Sequence, residues 1–140
     1  EDTSDDFAEL TTEQKKELSA YRLQKAQSLI KDAQVLLNND SYESSINRAY
    51  YAVLSAAKGL LILRGIDPET HEGVKTMISK EFVKTGMLPK EYSEYFRNLQ
   101  ARRLDSDYGD FIELGKEEAA DSIARAIQFI NKINKIIDSL

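Results

Sequence analysis

The sequence of 140 residues contains no cysteine and no tryptophan, and only one histidine, two prolines and six glycines. Without cysteine the chain cannot form a disulfide scaffold, a zinc finger, an iron–sulfur site or a thiol nucleophile, and a cytoplasmic location is favoured. Because His71 is the single histidine, a multi-histidine metal site or a two-histidine acid–base pair needs a second subunit. We therefore expect no metal and no cofactor.

Negative charge is concentrated at the start of the chain. The 19 Lys and Arg residues oppose 24 Asp and Glu, which gives a net charge of −5. Five of these acids lie in the first ten residues, which contain no Lys or Arg. Residues 1–10 are therefore predicted to be an acidic, disordered leader, and residues 11–140 a single domain. The remaining sequence has equal numbers of acidic and basic residues, so only a local basic cluster can favour nucleic acid.

Apolar residues recur at helical spacing through most of the sequence. A capping box formed by Thr11 and Gln14 predicts the start of a long first helix. A second box, Asp40 with Glu43, predicts the start of another helix that ends just before Gly65, a residue suited to the left-handed position after a helix.

The second helix is predicted to lie at the centre of the protein. Between Arg48 and Arg64 the only charged residue is Lys58, so this helix is apolar on nearly all sides. A membrane span needs about 20 apolar residues, and this run is too short and interrupted. We therefore expect a buried bundle helix and no membrane association.

Three further helices are predicted, over about 71–83, from Pro89 to about 104, and over 116–137, with a connector at 105–115. In the last helix, apolar residues at alternating four- and three-residue steps form a seam suited to lengthwise helix packing. The predicted fold class is all-α, an up-and-down helical bundle of about five helices with a short helical pair between the second and last long helices.

Four segments, taken in order, resemble the HEPN domain family over about residues 15–137, in the subgroup that has an Arg-x-x-x-Asp-Tyr element and is associated with minimal nucleotidyltransferases. The segments are Asn47-Arg48-Ala49-Tyr50-Tyr51-Ala52, the helix end from Lys58 to Gly65, Thr70-His71-Glu72-Gly73-Val74 followed by Phe82-Val83-Lys84-Thr85-Gly86, and Arg103-Leu104-Asp105-Ser106-Asp107-Tyr108. The resemblance implies a cytoplasmic helical bundle that forms a homodimer through its long helices. It also implies a nucleotidyltransferase partner, in a toxin–antitoxin-like complex, and an association with nucleotide or RNA.

Many members of this family are metal-independent ribonucleases that use an arginine and a histidine separated by four to six residues. Here Arg103 is followed by Tyr108, and no histidine occurs after His71. A tyrosine with an ordinary pKa of about 10 is protonated at neutral pH and cannot accept the 2′-hydroxyl proton of RNA. We therefore expect a binding module without catalysis by this chain alone. The alternative is an active ribonuclease toxin that uses Arg103 with Tyr108, or with His71 brought close by folding or dimerisation.

The resemblance also assigns roles to polar side chains near the end of the fourth helix. Arg102, Arg103 and Tyr108 are expected to bind a phosphate of nucleotide or RNA. Arg48 is a charge on the buried second helix and needs a partner, and the predicted structural role is pairing with Asp107 or another carboxylate of the connector. Arg103 and Asp107 are four residues apart and can form an ion pair on one helix, which is the alternative to a ligand site.

His71 stands directly after Thr70, a residue that can cap a helix. The favoured interpretation is a structural histidine bonded to a nearby backbone group, and a phosphate-accepting histidine of a relay module is the alternative. Tyr50 and Tyr51 are expected to pack in and beside the core, because no basic groove is evident that would make them a base-stacking platform.

Overall fold

The computed structural model describes residues 9–108 and 114–140, including their side chains except those of residues 106–108. The described residues form five α-helices and no strand: α1 Thr12–Asn38, α2 Tyr42–Ile62, α3 His71–Ile78, α4 Lys90–Tyr108 and α5 Lys116–Ser139, with a π-helical turn Ser79–Val83 that continues α3. This confirms the all-α class, with the shorter helices between α2 and the last long helix. Most of the predicted leader lies outside the described residues.

The helix ends follow the predicted signals in two places and differ in one. The Gln14 amide donates to Thr11 Oγ1 at 3.0 Å, which confirms the first capping box, and Gly65 has a φ of 74°. The box predicted at Asp40 is wrong. Asp40 adopts a φ of 61° after the end of α1, so α2 begins at Tyr42, and Asp40 Oδ1 accepts a hydrogen bond from the Tyr42 hydroxyl at 3.0 Å instead.

Helix α2 occupies the centre of the bundle, as its composition predicts. Fourteen of its 21 residues are buried, and it contacts α1, α3, α4 and α5. The apolar seam of α5 is used inside the same chain, since Ile130 and Ile133 are almost completely buried. The seam therefore supplies packing within the chain, and the homodimer implied by the family resemblance stays a prediction.

Helix α4 continues to Tyr108, one turn past the predicted end. No glycine or proline occurs between Pro89 and Gly109, so nothing in the sequence stops the helix earlier. As a result Arg102 and Arg103 lie on regular helix, well before its end.

Within the described ranges, every helix is too short or too polar to cross a lipid bilayer.

Candidate functional site

A groove of about 650 Å³ lies between α1 and α2 and is named here the basic groove. Its lining residues are Leu18, Tyr21, Arg22, Lys25 and Leu29 of α1, Asn47, Arg48, Tyr51, Leu54, Ser55 and Lys58 of α2, and His71 at the start of α3. Four of these are permanently cationic, and none of the described lining residues is acidic. Nowhere among the described side chains do three His, Asp or Glu residues form a cluster that could hold a metal ion.

The walls of the basic groove are fixed by a close approach of α1 to α2. A Cβ atom at Gly59 would collide with the Leu23 side chain and lie 3.2 Å from the Ser19 carbonyl oxygen, so only glycine fits without a shift. The Ser19 hydroxyl donates to the Gly59 carbonyl at 2.7 Å, and the Ser55 hydroxyl donates to the Arg22 carbonyl at 2.8 Å. These two bonds, the first buried and the second partly buried, hold the lining stripes of the two helices in register.

The cations of the basic groove differ in how they are held. Arg22 donates to Asp67 Oδ1 at 3.1 Å and to the Lys58 carbonyl at 3.3 Å, so part of its charge is neutralised. Arg48 is exposed and donates to Asn47 Oδ1 at 2.9 Å. The expectation that Arg48 is a buried charge is therefore wrong: it faces the groove on the one polar side of α2.

Four residues from three helices meet at one end of the basic groove, and we call them the Tyr–His–Arg cluster: Tyr50, Tyr51, His71 and Arg103. Arg103 Nη2 donates to the Tyr51 hydroxyl at 2.9 Å, and its guanidinium carbon lies 5.5 Å from the Tyr51 ring centre. The Tyr50 hydroxyl and His71 Nδ1 are 3.0 Å apart. The His71 and Tyr51 rings pack edge to face, with their centres 5.7 Å apart. Folding therefore brings His71 and Arg103 to the same pair of tyrosines.

The electrostatics of the cluster favour a neutral imidazole at pH 7. Burial, then the positive charges of Arg103 and Lys58, lower the pKa of His71 below its usual 6.5. Burial raises the pKa of Tyr50 to about 12, with Arg103 opposing the rise, so this phenol stays protonated. When Tyr50 accepts from Nδ1–H, Nε2 has a free lone pair and can take a proton. When Tyr50 donates to Nδ1, Nε2 carries the hydrogen and is a donor.

Arg102 points away from the basic groove. Its Nη1 donates to Asp121 Oδ2 at 2.8 Å, to Ser122 Oγ at 3.0 Å and to the Glu118 carbonyl at 3.3 Å, all on α5. Asp121 also pairs with Arg125 at 3.0 Å. Arg102 thus fastens α4 to α5 and is half-buried. Its predicted phosphate contact stays a prediction.

The side chains of Asp107 and Tyr108 lie outside the described residues. The predicted Arg48–Asp107 and Arg103–Asp107 pairs, and the predicted phosphate contact of Tyr108, therefore stay predictions.

Helix α3 is capped as predicted, because the Gly73 amide donates to Thr70 Oγ1 at 2.9 Å. The imidazole of His71, however, bonds the Tyr50 side chain and not a backbone group. The reason is that α3 begins beside the Tyr50 and Tyr51 rings. These tyrosines lie about 20 residues earlier in the sequence, which does not indicate that they are close to His71.

Sequence reasoning missed the basic groove. The available signal was the repetition of polar and basic residues at three- and four-residue steps on two successive helices, at positions 22 and 25 of α1 and 48, 51, 55 and 58 of α2. Which faces of the two helices meet could not be read from either stripe alone.

Comparison with known proteins agrees with this architecture. The profile of the HEPN domain matches residues 19–136. A UPF0332 protein of Thermotoga maritima is 33% identical over 127 residues, covering 91% of this chain and 96% of that protein. "Putative toxin MJ0142" of Methanocaldococcus jannaschii is 34% identical over 117 residues, covering 84% and 80%. The crystal structure of TT1696 from Thermus thermophilus superposes with a TM-score of 0.73 at 18% identity, over 84% of this chain and 97% of that one, a likeness of fold. This chain therefore belongs to the HEPN domain family.

Proposed function

We propose that this chain is a toxin-like module that binds RNA or a nucleotide in the basic groove. One observation carries the proposal: four cationic side chains and two tyrosines line a single concave surface on which no described residue is acidic. Phosphate groups are recognised by such cations, and bases stack on exposed aromatic rings.

The arrangement suits a polyanion with stacking bases better than a simple anion. Arg48 and Lys25 are exposed and can each approach a phosphate. Tyr21 is 62% exposed, and Tyr51 is half-buried on the opposite wall. From the sequence, stacking of bases on Tyr51 was not expected because no basic groove was evident; in the structure Tyr51 lines such a groove. Tyr50, in contrast, is fully buried and packs in the core.

The partners proposed for this module are a second copy of the chain and a nucleotidyltransferase that acts as its antitoxin. The family resemblance supports both, and the name of the Methanocaldococcus jannaschii relative points to a toxin role for that protein. Light scattering at micromolar concentration tests the homodimer, and a mass near the monomer's 15.9 kDa contradicts it.

Binding is tested by fluorescence anisotropy with a short labelled single-stranded RNA over a series of salt concentrations. Arg48→Ala and Lys25→Ala are expected to weaken binding severalfold, and each should reduce the slope of log K against log salt by about 0.7, the value for one phosphate contact on a single strand. Lys31→Ala is the matched control, because Lys31 is exposed on α1 on the side opposite the groove. Equal effects of all three substitutions would contradict the groove assignment.

The second candidate function is metal-independent RNA cleavage, favoured by the meeting of His71 and Arg103 in the Tyr–His–Arg cluster. Neutral His71 can accept the 2′-hydroxyl proton through Nε2 while the 2′ oxygen bonds to phosphorus. The bond from phosphorus to the 5′ oxygen then breaks, and that oxygen takes a proton from solvent. Arg103 can stabilise the negative charge that grows on the phosphoryl oxygens. Tyr108 is the alternative partner of Arg103.

Cleavage is tested with RNA in the presence of a chelator, by looking for products that end in a 2′,3′-cyclic phosphate. If cleavage occurs, Arg103→Gln should abolish it, and comparison of His71→Asn with Tyr108→Phe identifies the second residue. Intact RNA after prolonged incubation, together with normal binding, contradicts the catalytic candidate and leaves the binding function.

A further inference from the structure

A second basic cavity of about 390 Å³ lies between α3 with its π-helical turn and α4, and is named here the α3–α4 furrow. Its lining residues are Lys75, Thr76, Ser79, Lys80, Lys84, Ser93 and Arg97. Four are cationic and three carry hydroxyls, and no acidic residue is among the described lining. Cations interspersed with hydroxyl donors are the groups that contact phosphate and sugar oxygens in nucleic-acid complexes.

The π-helical turn shapes one wall of the furrow. The Lys84 amide donates to the Ser79 carbonyl at 2.9 Å, five residues earlier, which widens the helix at this point. Lys80 and Lys84 both line the same cavity from this turn, and Arg97 faces them from α4. All three side chains are exposed.

The furrow continues directly from the Tyr–His–Arg cluster. Lys75 Nζ donates to Gln100 Oε1 at 2.9 Å, and these residues lie one turn beyond His71 on α3 and one turn before Arg103 on α4. Moving away from the cluster, α3 therefore runs toward Ser79 while α4 runs back toward Arg97. The eight helical steps from His71 to Ser79 span about 12 Å at the rise of an α-helix.

The nearest acid, Glu72, offsets the charge of only one of the four furrow cations, Lys75. Glu72 lies 3.0 Å from Lys75 Nζ and accepts a hydrogen bond from Gln100 Nε2 at 3.3 Å, at the boundary with the cluster. Its charge is balanced by Lys75. Glu81, on the π-helical turn, pairs with Arg64 at 3.4 Å and does not line the cavity.

We propose that the α3–α4 furrow is a second phosphate subsite, and that one single strand of RNA runs from the basic groove past the Tyr–His–Arg cluster into it. This inference rests on the proposed binding of RNA or nucleotide in the basic groove, and it names the ligand as a polynucleotide. A mononucleotide has its phosphates at one position and engages one subsite, whereas a strand places phosphates along both. Continuity with the groove favours RNA over an acidic protein surface.

The test compares a labelled dinucleotide with a labelled single-stranded RNA of about twelve nucleotides, within the range that single-strand binders cover. In the Lys80→Glu/Lys84→Glu variant we expect the affinity for the longer RNA to fall at least about tenfold, with its salt slope reduced by about 1.4 for two lost phosphate contacts. Dinucleotide affinity should be unchanged. The matched control, Lys31→Glu/Lys135→Glu, makes the same change of charge at exposed positions outside the furrow, and thermal melting verifies that each variant is folded.

The outcomes separate this inference from the proposed function. If the unmodified protein binds the dinucleotide and the longer RNA equally well, or if the control variant loses as much affinity as the furrow variant, the furrow inference is wrong and the groove function stands. If the unmodified protein binds neither ligand, both fail. Polyglutamate serves as the probe for an acidic protein surface. If the Lys80→Glu/Lys84→Glu variant loses affinity for polyglutamate while its RNA affinity is unchanged, the furrow binds an acidic protein and the proposed RNA path is wrong.

Discussion

Arg102→Ala is expected to lower the free energy of unfolding without weakening RNA binding. One guanidinium nitrogen of Arg102 donates to three acceptors on α5, the nearest being Asp121 Oδ2 at 2.8 Å. The substitution removes this connection between α4 and α5 and does not touch any residue that lines the basic groove.

The size of the effect follows from the burial of the partners. Hydrogen bonds to a charged group contribute about 1.5–3 kcal/mol, but the Arg102 and Asp121 side chains are 25% and 41% exposed, so solvent screens their ion pair. The buried Ser122 hydroxyl keeps its own bond to the Glu118 carbonyl and is not left unsatisfied. We expect a loss of about 1–2 kcal/mol, equivalent to a fall in Tm of about 3–6 °C for a domain of this size.

The assay is urea unfolding of Arg102→Ala beside Arg48→Ala, with RNA anisotropy on both proteins. Arg48 is exposed, so its substitution should change stability by less than about 0.5 kcal/mol while weakening binding. A double-mutant cycle with Asp121→Asn should give a coupling energy of at least about 0.5 kcal/mol. If Arg102→Ala has the stability of the unmodified protein and binds RNA more weakly, the structural assignment is refuted and Arg102 is the phosphate ligand predicted from the sequence.

Three further predictions concern titration, packing and capping. The NMR signal of His71, the single histidine, should titrate below pH 6.5, and Arg103→Gln should raise its pKa, because a nearby positive charge is removed; titration of the unmodified protein at or above 6.5 contradicts this. Between the lowered pKa of folded His71 and the value of about 6.5 in the unfolded chain, the unfolded chain binds more protons than the folded one. The contribution of His71 to the free energy of unfolding should therefore increase as the pH rises through that interval. Gly59→Val should lower stability by about 1–3 kcal/mol in urea unfolding, since the new side chain overlaps Leu23, and an unchanged midpoint would exclude the close approach. Thr70→Ala should cost about 1 kcal/mol by loss of the α3 cap, with Thr70→Ser as the control that retains it; equal melting temperatures of the two variants would argue against the cap.

The sequence by itself determined the fold class, because helix formation depends on neighbours three and four residues apart, and these are visible in a linear pattern. The Thr11 capping box, the Thr70 cap and the left-handed Gly65 follow from local chemistry and were all predicted. The apolar length of α2 likewise predicted its central place, since a helix that is apolar on nearly all sides must be covered by other helices on most of its surface.

Only the tertiary structure decided which polar side chains share a surface. From the sequence, Arg48 was expected to be a buried charge, yet it is exposed and faces the groove. Arg102 was expected to bind phosphate, yet its guanidinium is bonded to α5. His71 and Arg103 meet because α3 and α4 both pack over the same two tyrosines of α2. Such proximity depends on the rotation of each helix about its axis and on the angles at which helices cross, and both are set by the close packing of residues far apart in the chain. A periodic pattern specifies the buried face of each helix, but it does not specify which neighbouring helix covers that face.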